Sequence, residues 1–74
     1  MSEAVARLGT VIRRLRLERG ISQEGLAALA RIDRTFMGEV ERGEANPSFD
    51  VLERIARGLS LNLSDLIRQY ESED

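Results

Sequence analysis

The stretch Gln23-Glu24-Gly25-Leu26-Ala27-Ala28-Leu29-Ala30-Arg31-Ile32-Asp33-Arg34-Thr35-Phe36-Met37-Gly38-Glu39-Val40 decides the fold. Two short helical patterns flank a three-residue break, Arg31-Ile32-Asp33. Helices that cross steeply through so short a turn need a small side chain at the crossing, and Ala27 supplies it. Leu26, Ala30, Ile32, Met37 and Val40 are spaced to fill the angle between the two helices. The second helix then stands proud, with its first residues free to enter a major groove.

Working outward, three more helical patterns appear, each bounded by caps and breakers. The first runs from about Glu3 to Arg19, with Val5, Leu8, Ile12 and Leu15 as its core stripe and Gly20 as a left-handed stop. Ser22 caps the second, Gln23 to Ala30, whose Leu26, Leu29 and Ala30 point inward. Asp33 caps the third, Arg34 to Arg42, which stops at Gly43. Ser48 caps the fourth, Phe49 to Leu59, which buries Val51, Leu52, Ile55, Ala56 and Leu59. Asn62 caps the fifth, with Asp65 completing a capping box and Leu63, Leu66, Ile67 and Tyr70 as its apolar set. No segment alternates with period two, so no sheet is predicted. The expectation is an all-α, compact five-helix bundle containing a helix–turn–helix. Residues 1–70 form one domain, and residues 71–74, Glu-Ser-Glu-Asp, a frayed acidic tail.

Composition narrows the chemistry. A chain of 74 residues buries only about 60% of its unfolded surface, so it is marginal alone. It has no cysteine and no histidine, which removes disulfides, zinc ligation, a thiol nucleophile and an imidazole base. Without those groups or a cleft-sized body an enzyme is not expected, and no cofactor or metal is implied. Close helix packing and oligomerisation remain as stabilisers, which points to a homodimer. No apolar run approaches the roughly 20 residues of a membrane span, and no signal-peptide pattern opens the chain, so a cytoplasmic protein without membrane contact is expected. Phe36, Phe49 and Tyr70 are the only aromatics, too few for a base-stacking single-strand binder. The net charge of −2 hides an asymmetry: residues 7–34 carry +4 and residues 35–74 carry −5. All eleven cations are arginine, whose fork suits guanine edges and phosphates.

Several motifs together resemble one family. Arg-x-x-x-Gly-Ile-Ser-Gln-Glu (16–24), the 23–40 stretch, Glu-Arg-Gly (41–43), Asn-Pro-Ser (46–48) and Ala-Arg-Gly-Leu-Ser-Leu-Asn-Leu-Ser-Asp-Leu (56–66) are similar to the Cro/cI-type (XRE) helix–turn–helix regulators over residues 7–67. Ile-Asp-Arg-Thr-Phe (32–36) followed by Glu-Arg-Gly looks most like the controller proteins of restriction–modification systems. The resemblance implies a homodimeric transcriptional regulator on double-stranded DNA with a pseudo-palindromic operator. It implies activation and autoregulation, with dimers that can pair on DNA. A phage-type repressor, or an antitoxin that also binds a protein partner, shares much of the pattern. The resemblance further implies that Arg16 pairs with Glu41 as a structural joint, and that Glu24 occupies the position used by related activators to touch RNA polymerase. The alternative for Glu24 is support of the helix dipole. Three positions depart from the family pattern: Arg31 and Ser60 stand where glycine is usual, and Gly25 replaces a capping-box glutamate.

The candidate DNA contacts follow from position. Arg34 opens the recognition helix, where its fork fits O6 and N7 of guanine; otherwise it is a solvated arginine paired with Asp33. Thr35 suits a thymine methyl or a phosphate, or is a plain first-turn residue. Gly38 and Glu39 lie one turn on, on the outer face: glycine lets backbone approach DNA, and glutamate accepts from cytosine N4 or repels a misplaced phosphate. Ser22 and Gln23 place a helix N-terminus against a phosphate. Arg42, Asn46 and Ser48 are further phosphate candidates, opposed by Glu44. Arg13, Arg14 and Arg19 are read as a solvated face. Phe49, Leu61, Leu63, Ile67 and Tyr70 are expected to form a dimer seam, with Leu63 and Leu66 also able to complete the monomer core.

Overall fold

Each helix opens on a short polar side chain held in extended backbone. In the computed structural model, which describes residues 2–73, Ser2, Ser22, Asp33, Ser48 and Asn62 each accept a hydrogen bond from the backbone N–H three residues on. Each such cap satisfies one orphan donor of a first turn and contributes about 1 kcal/mol. They start α1 (Glu3–Glu18), α2 (Gln23–Ala30), α3 (Arg34–Glu41), α4 (Phe49–Gly58) and α5 (Leu63–Ser72). Among the described residues there is no strand. α5 carries the full capping box between Asn62 and Asp65, whereas α2 has Gly25 at the matching position and only the forward bond.

Four helices also end alike. A residue one or two positions past the helix turns left-handed, and the next N–H reaches back five residues: Ile21 to Arg16, Ile32 to Ala27, Glu44 to Glu39 and Leu61 to Ala56. Gly20 and Gly43 hold the left-handed position without a side-chain clash, at φ 66° and 75°. Arg31 and Ser60 hold it at φ 57° and 62° with a Cβ, at roughly 1–2 kcal/mol each. This closure shortens three expected helices by one residue. Arg19, Arg42 and Leu59 are caps rather than last helical residues, because the left-handed turn takes them out of register. α5 is longer than expected. It continues through Glu71 and Ser72, the Ser72 hydroxyl donating to the Arg68 carbonyl at 2.9 Å, and Glu73 lies 3.4 Å from Arg14. Asp74, the end of the expected acidic tail, lies outside the described residues.

Every helix sends side chains to one core. Ile12, Leu26, Met37, Ile55, Leu59 and Leu66 are fully buried, and each stabilises by about 1.5–3 kcal/mol relative to exposure. α2 packs on α3 and α4, α1 on α3 and α5, and α5 on α4. Val11, outside the expected α1 stripe, is as buried as Ile12, and Leu8 is only half-buried. Leu29, expected inward, is 58% exposed. The inner arc of the eight-residue α2 is filled by Leu26, Ala27 and Ala30, and Leu29 projects from its flank. No described helix is long and apolar enough to cross a membrane.

Candidate nucleic-acid interface

The interface is built on the joint between α1 and α3. Gly9 lies where α1 meets the end of α3: a methyl there would collide with the carbonyl oxygens of Val40 and Glu41, the latter at 2.7 Å. About two helix turns further along α1, Arg16 Nε donates to Glu41 Oε2 at 2.7 Å and Nη2 to Oε1 at 3.0 Å. Its remaining Nη1 donates to the Ile21 carbonyl at 3.0 Å. The Glu41 side chain is only 2% exposed, so this is a buried, bidentate pair. The hydrogen bond to Glu41 holds the Arg16 pKa above its ordinary value, outweighing the opposite effect of burial. Gln23 Nε2 adds a bond to Glu41 Oε1 at 3.1 Å. A single carboxylate near the end of α3 thus joins α1 and the start of α2. The joint at Gly9 was not apparent from the sequence; its signal is an unforced glycine in a helix interior, which costs about 1 kcal/mol against alanine.

Beside this joint, sharing Gln23 with it, lies a shallow polar depression lined by Gln23, Arg34, Thr35, Gly38 and Arg42. Arg34 and Thr35 are exposed at the first two positions of α3. Among the described residues no carboxylate lies within ion-pair reach of Arg34. Asp33, the alternative partner, instead accepts the Phe36 N–H at 2.8 Å. Ser22 caps α2 through Gly25 at 2.9 Å, and the N–H groups of Gln23 and Glu24 have no partner within the helix. The Gln23 side chain turns inward to Glu41 rather than standing free.

Two candidates differ from their expected surroundings. Gly38 does not lie on an open outer face. It is buried at the floor of the depression, and the Arg42 Nη1 lies 2.9 Å from where its Cβ would be. The physical reason is the α3 cap: Arg42 sits four residues past Gly38, and its side chain folds back over the gap that glycine leaves. Asn46 lies away from the depression. It lines an apolar hollow with Leu8, Leu52, Ile67 and Tyr70. The loop after α3 turns toward the start of α1 because Gly43 packs on the Ala6 backbone at 2.8 Å from its Cβ position.

The remaining polar candidates keep to single roles. Arg42 is tied to Glu44 by two bonds of 3.1 Å, both residues well exposed, and that carboxylate raises its pKa chiefly by hydrogen bonding. Ser48 caps α4 through Val51. Glu39 is half-buried and Glu24 exposed. The α1 arginines are not uniformly solvated. Arg13 is exposed, but Arg19 Nε donates to the Leu59 carbonyl at 2.7 Å and closes the end of α4. Arg14 bonds Glu18 and Gln69 and lies beside Glu73, which ties α1 to α5. Glu18 and the Leu15 carbonyl are neighbours of these two along α1, but Leu59, Gln69 and Glu73 reach them only through the fold.

The apolar residues expected at a seam divide. Phe49 is 73% exposed and Ile67 36%, with Tyr70 half-buried beside the Arg7 guanidinium, 5.3 Å from its ring centre. Leu61 and Leu63 pack partly against the core instead. Leu52, not expected outside the core, joins Ile67 and Tyr70 at the hollow.

Helix–turn–helix geometry and this polar face define a class: small DNA-binding transcriptional regulators rather than enzymes. Residues 7–68 match the family described as "Helix-turn-helix domain", and the chain belongs to it. Within the family its likeness is to restriction–modification controllers. It is 38% identical to Control protein C.MunI of Mycoplasma sp. over 74 residues, covering 99% of this chain and all of that one. Its fold superposes on the controller protein C.AhdI from Aeromonas hydrophila with a TM-score of 0.81 and 37% identity, over 84% of this chain and 94% of that one. It superposes on the wild-type controller protein C.Esp1396I with a TM-score of 0.90 and 30% identity, over 97% and 92% of the two chains.

Proposed function

We propose that this protein is a cytoplasmic restriction–modification controller that acts as a homodimer on a pseudo-palindromic operator. The observation that supports it most directly is the Arg34 fork, without a carboxylate partner among the described residues, beside Thr35 at the exposed start of α3 and backed by a buried joint. In this reading Arg34 reads guanine and Thr35 a methyl or phosphate, while Glu39 excludes mismatched registers. Gly38 gives Arg42 room rather than touching DNA itself. The α2 N-terminus, Ser22 and Gln23 included, seats a phosphate, and Arg42 and Ser48 grip the backbone nearby.

The helical bundle, with α5 continued to Ser72, serves as one DNA-binding and dimerisation unit. A protomer measures 27 × 23 × 22 Å, so its α3 reaches one groove. Two copies joined through Phe49, Ile67 and Tyr70 bring their α3 helices about 34 Å apart, one turn of the duplex. With no cofactor implied, protein concentration is the signal. Low occupancy activates, with the exposed Glu24 available to polymerase, and paired dimers at high occupancy repress.

Selection of bound duplexes from a random pool tests this reading. The expected result is a two-fold-symmetric site with half-sites one helical turn apart. Arg34→Ala should weaken binding to that site by about 1–3 kcal/mol, roughly 5- to 150-fold, and relax one base position while the circular dichroism spectrum stays unchanged. No enriched site, or an Arg34→Ala protein that binds as before, overturns the assignment. Phe49→Glu should shift sedimentation from dimer to monomer; if it instead releases a co-purified second protein, the patch serves a partner of the antitoxin kind.

A further inference from the structure

The Arg42–Glu44 pair is unusual in where it lies. Arg42 lines the same depression as Arg34 and Thr35, and its Nε and Nη2 are both taken by the two oxygens of Glu44, each at 3.1 Å. Two parallel N–H···O bonds to a pair of anionic oxygens are also the way an arginine fork holds a phosphate. Three local features hold the carboxylate there. Arg42 is the α3 cap, Gly43 turns left-handed at φ 75°, and the Glu44 N–H closes on the Glu39 carbonyl at 2.8 Å. Gly38 leaves the space in which the guanidinium lies back along α3.

We propose that Glu44 is an intramolecular phosphate mimic that occupies the fork of Arg42 and lowers indiscriminate backbone binding. This inference rests on the reading of α3 as the DNA-facing helix. Exposed pairs are held weakly and exchange readily. A duplex seated by its base contacts displaces the carboxylate, whereas a duplex held by charge alone must compete with it. The residue thus trades affinity for discrimination. It acts without touching a base.

Glu44→Gln, Arg42→Gln and the double variant test this by titration with the selected duplex and a scrambled duplex from 50 to 200 mM salt. Removing the carboxylate should tighten binding to the scrambled duplex and steepen the fall of log K with log salt by about 0.9, the value of one phosphate contact. Over that salt range the added slope is a further loss of about 3- to 4-fold. The preference for the selected duplex should narrow. In the Arg42→Gln background the same substitution should leave the slope unchanged. Equal effects of Glu44→Gln with and without Arg42 would show a general charge effect and overturn the inference, as would unchanged binding. Wild-type protein that binds neither duplex overturns the DNA-facing reading and this inference with it. Wild-type binding with no effect of Glu44→Gln overturns the inference alone.

Discussion

Glu41 and Arg42 are neighbours, and each belongs to a two-bond arginine–carboxylate pair. The two pairs share their chemistry and differ in everything around it. Glu41 turns inward to Arg16, where Ile21 and Gln23 supply further bonds. Arg42 turns outward to Glu44, where water competes for both partners. A buried pair leaves an uncompensated charge when one member is lost, whereas an exposed pair leaves two solvated groups. One step along the chain therefore separates a fixed joint from an exchangeable contact.

The largest expected effect sharpens that contrast. Arg16→Ala should lose about 3–5 kcal/mol in urea unfolding followed at 222 nm, since Glu41 stays buried without its partner. A 74-residue domain has roughly 4–11 kcal/mol in total, so this variant should be partly unfolded at 37 °C. Arg42→Ala should leave the unfolding midpoint where it was, and comparable losses in the two variants would break the comparison. Gly9→Ala comes next, at about 1–3 kcal/mol, because the new methyl meets two carbonyl oxygens of α3. Wild-type stability in that variant would mean that Arg16 and Glu41 alone hold α1 to α3.

Arg31 gives a third case, an arginine with no carboxylate partner among the described residues and a left-handed backbone. Relief of the Cβ clash exceeds the extra unfolded-state entropy of glycine, so Arg31→Gly should raise stability by about 0.5–1 kcal/mol. A lowered melting temperature would show that its side chain has a stabilising contact in solution. The smallest effect is Glu44→Gln on folding, expected to leave the melting temperature unchanged while altering DNA binding.

The architecture was legible because local and global signals agree. Ser22, Asp33, Ser48 and Asn62 announce helix starts, and Ala27 announces the crossing. Helix ends were less legible, since a cap such as Arg42 looks helical until the left-handed residue after it is seen. Leu29 was misplaced because an apolar residue on a short helix can lie on the flank of the buried arc. Arg19 reads as a surface cation, and only the fold brings the Leu59 carbonyl to it. Gly38 and Asn46 were placed by spacing along the chain, but their surroundings depend on where Arg42 folds and where the next loop travels. Spacing locates a residue on a helix; it does not show which neighbour covers it.

Gly9 has a mechanical consequence. Where two backbones touch, neither helix can tilt or slide by the small amounts that side-chain cushions allow. α3 is clamped at its far end by that contact and by Glu41, so its exposed end is a stiff probe. Under the proposed function, a duplex whose groove does not match must deform to meet it. The sequence-dependent stiffness of DNA then becomes part of the selection, at base pairs that the protein never touches.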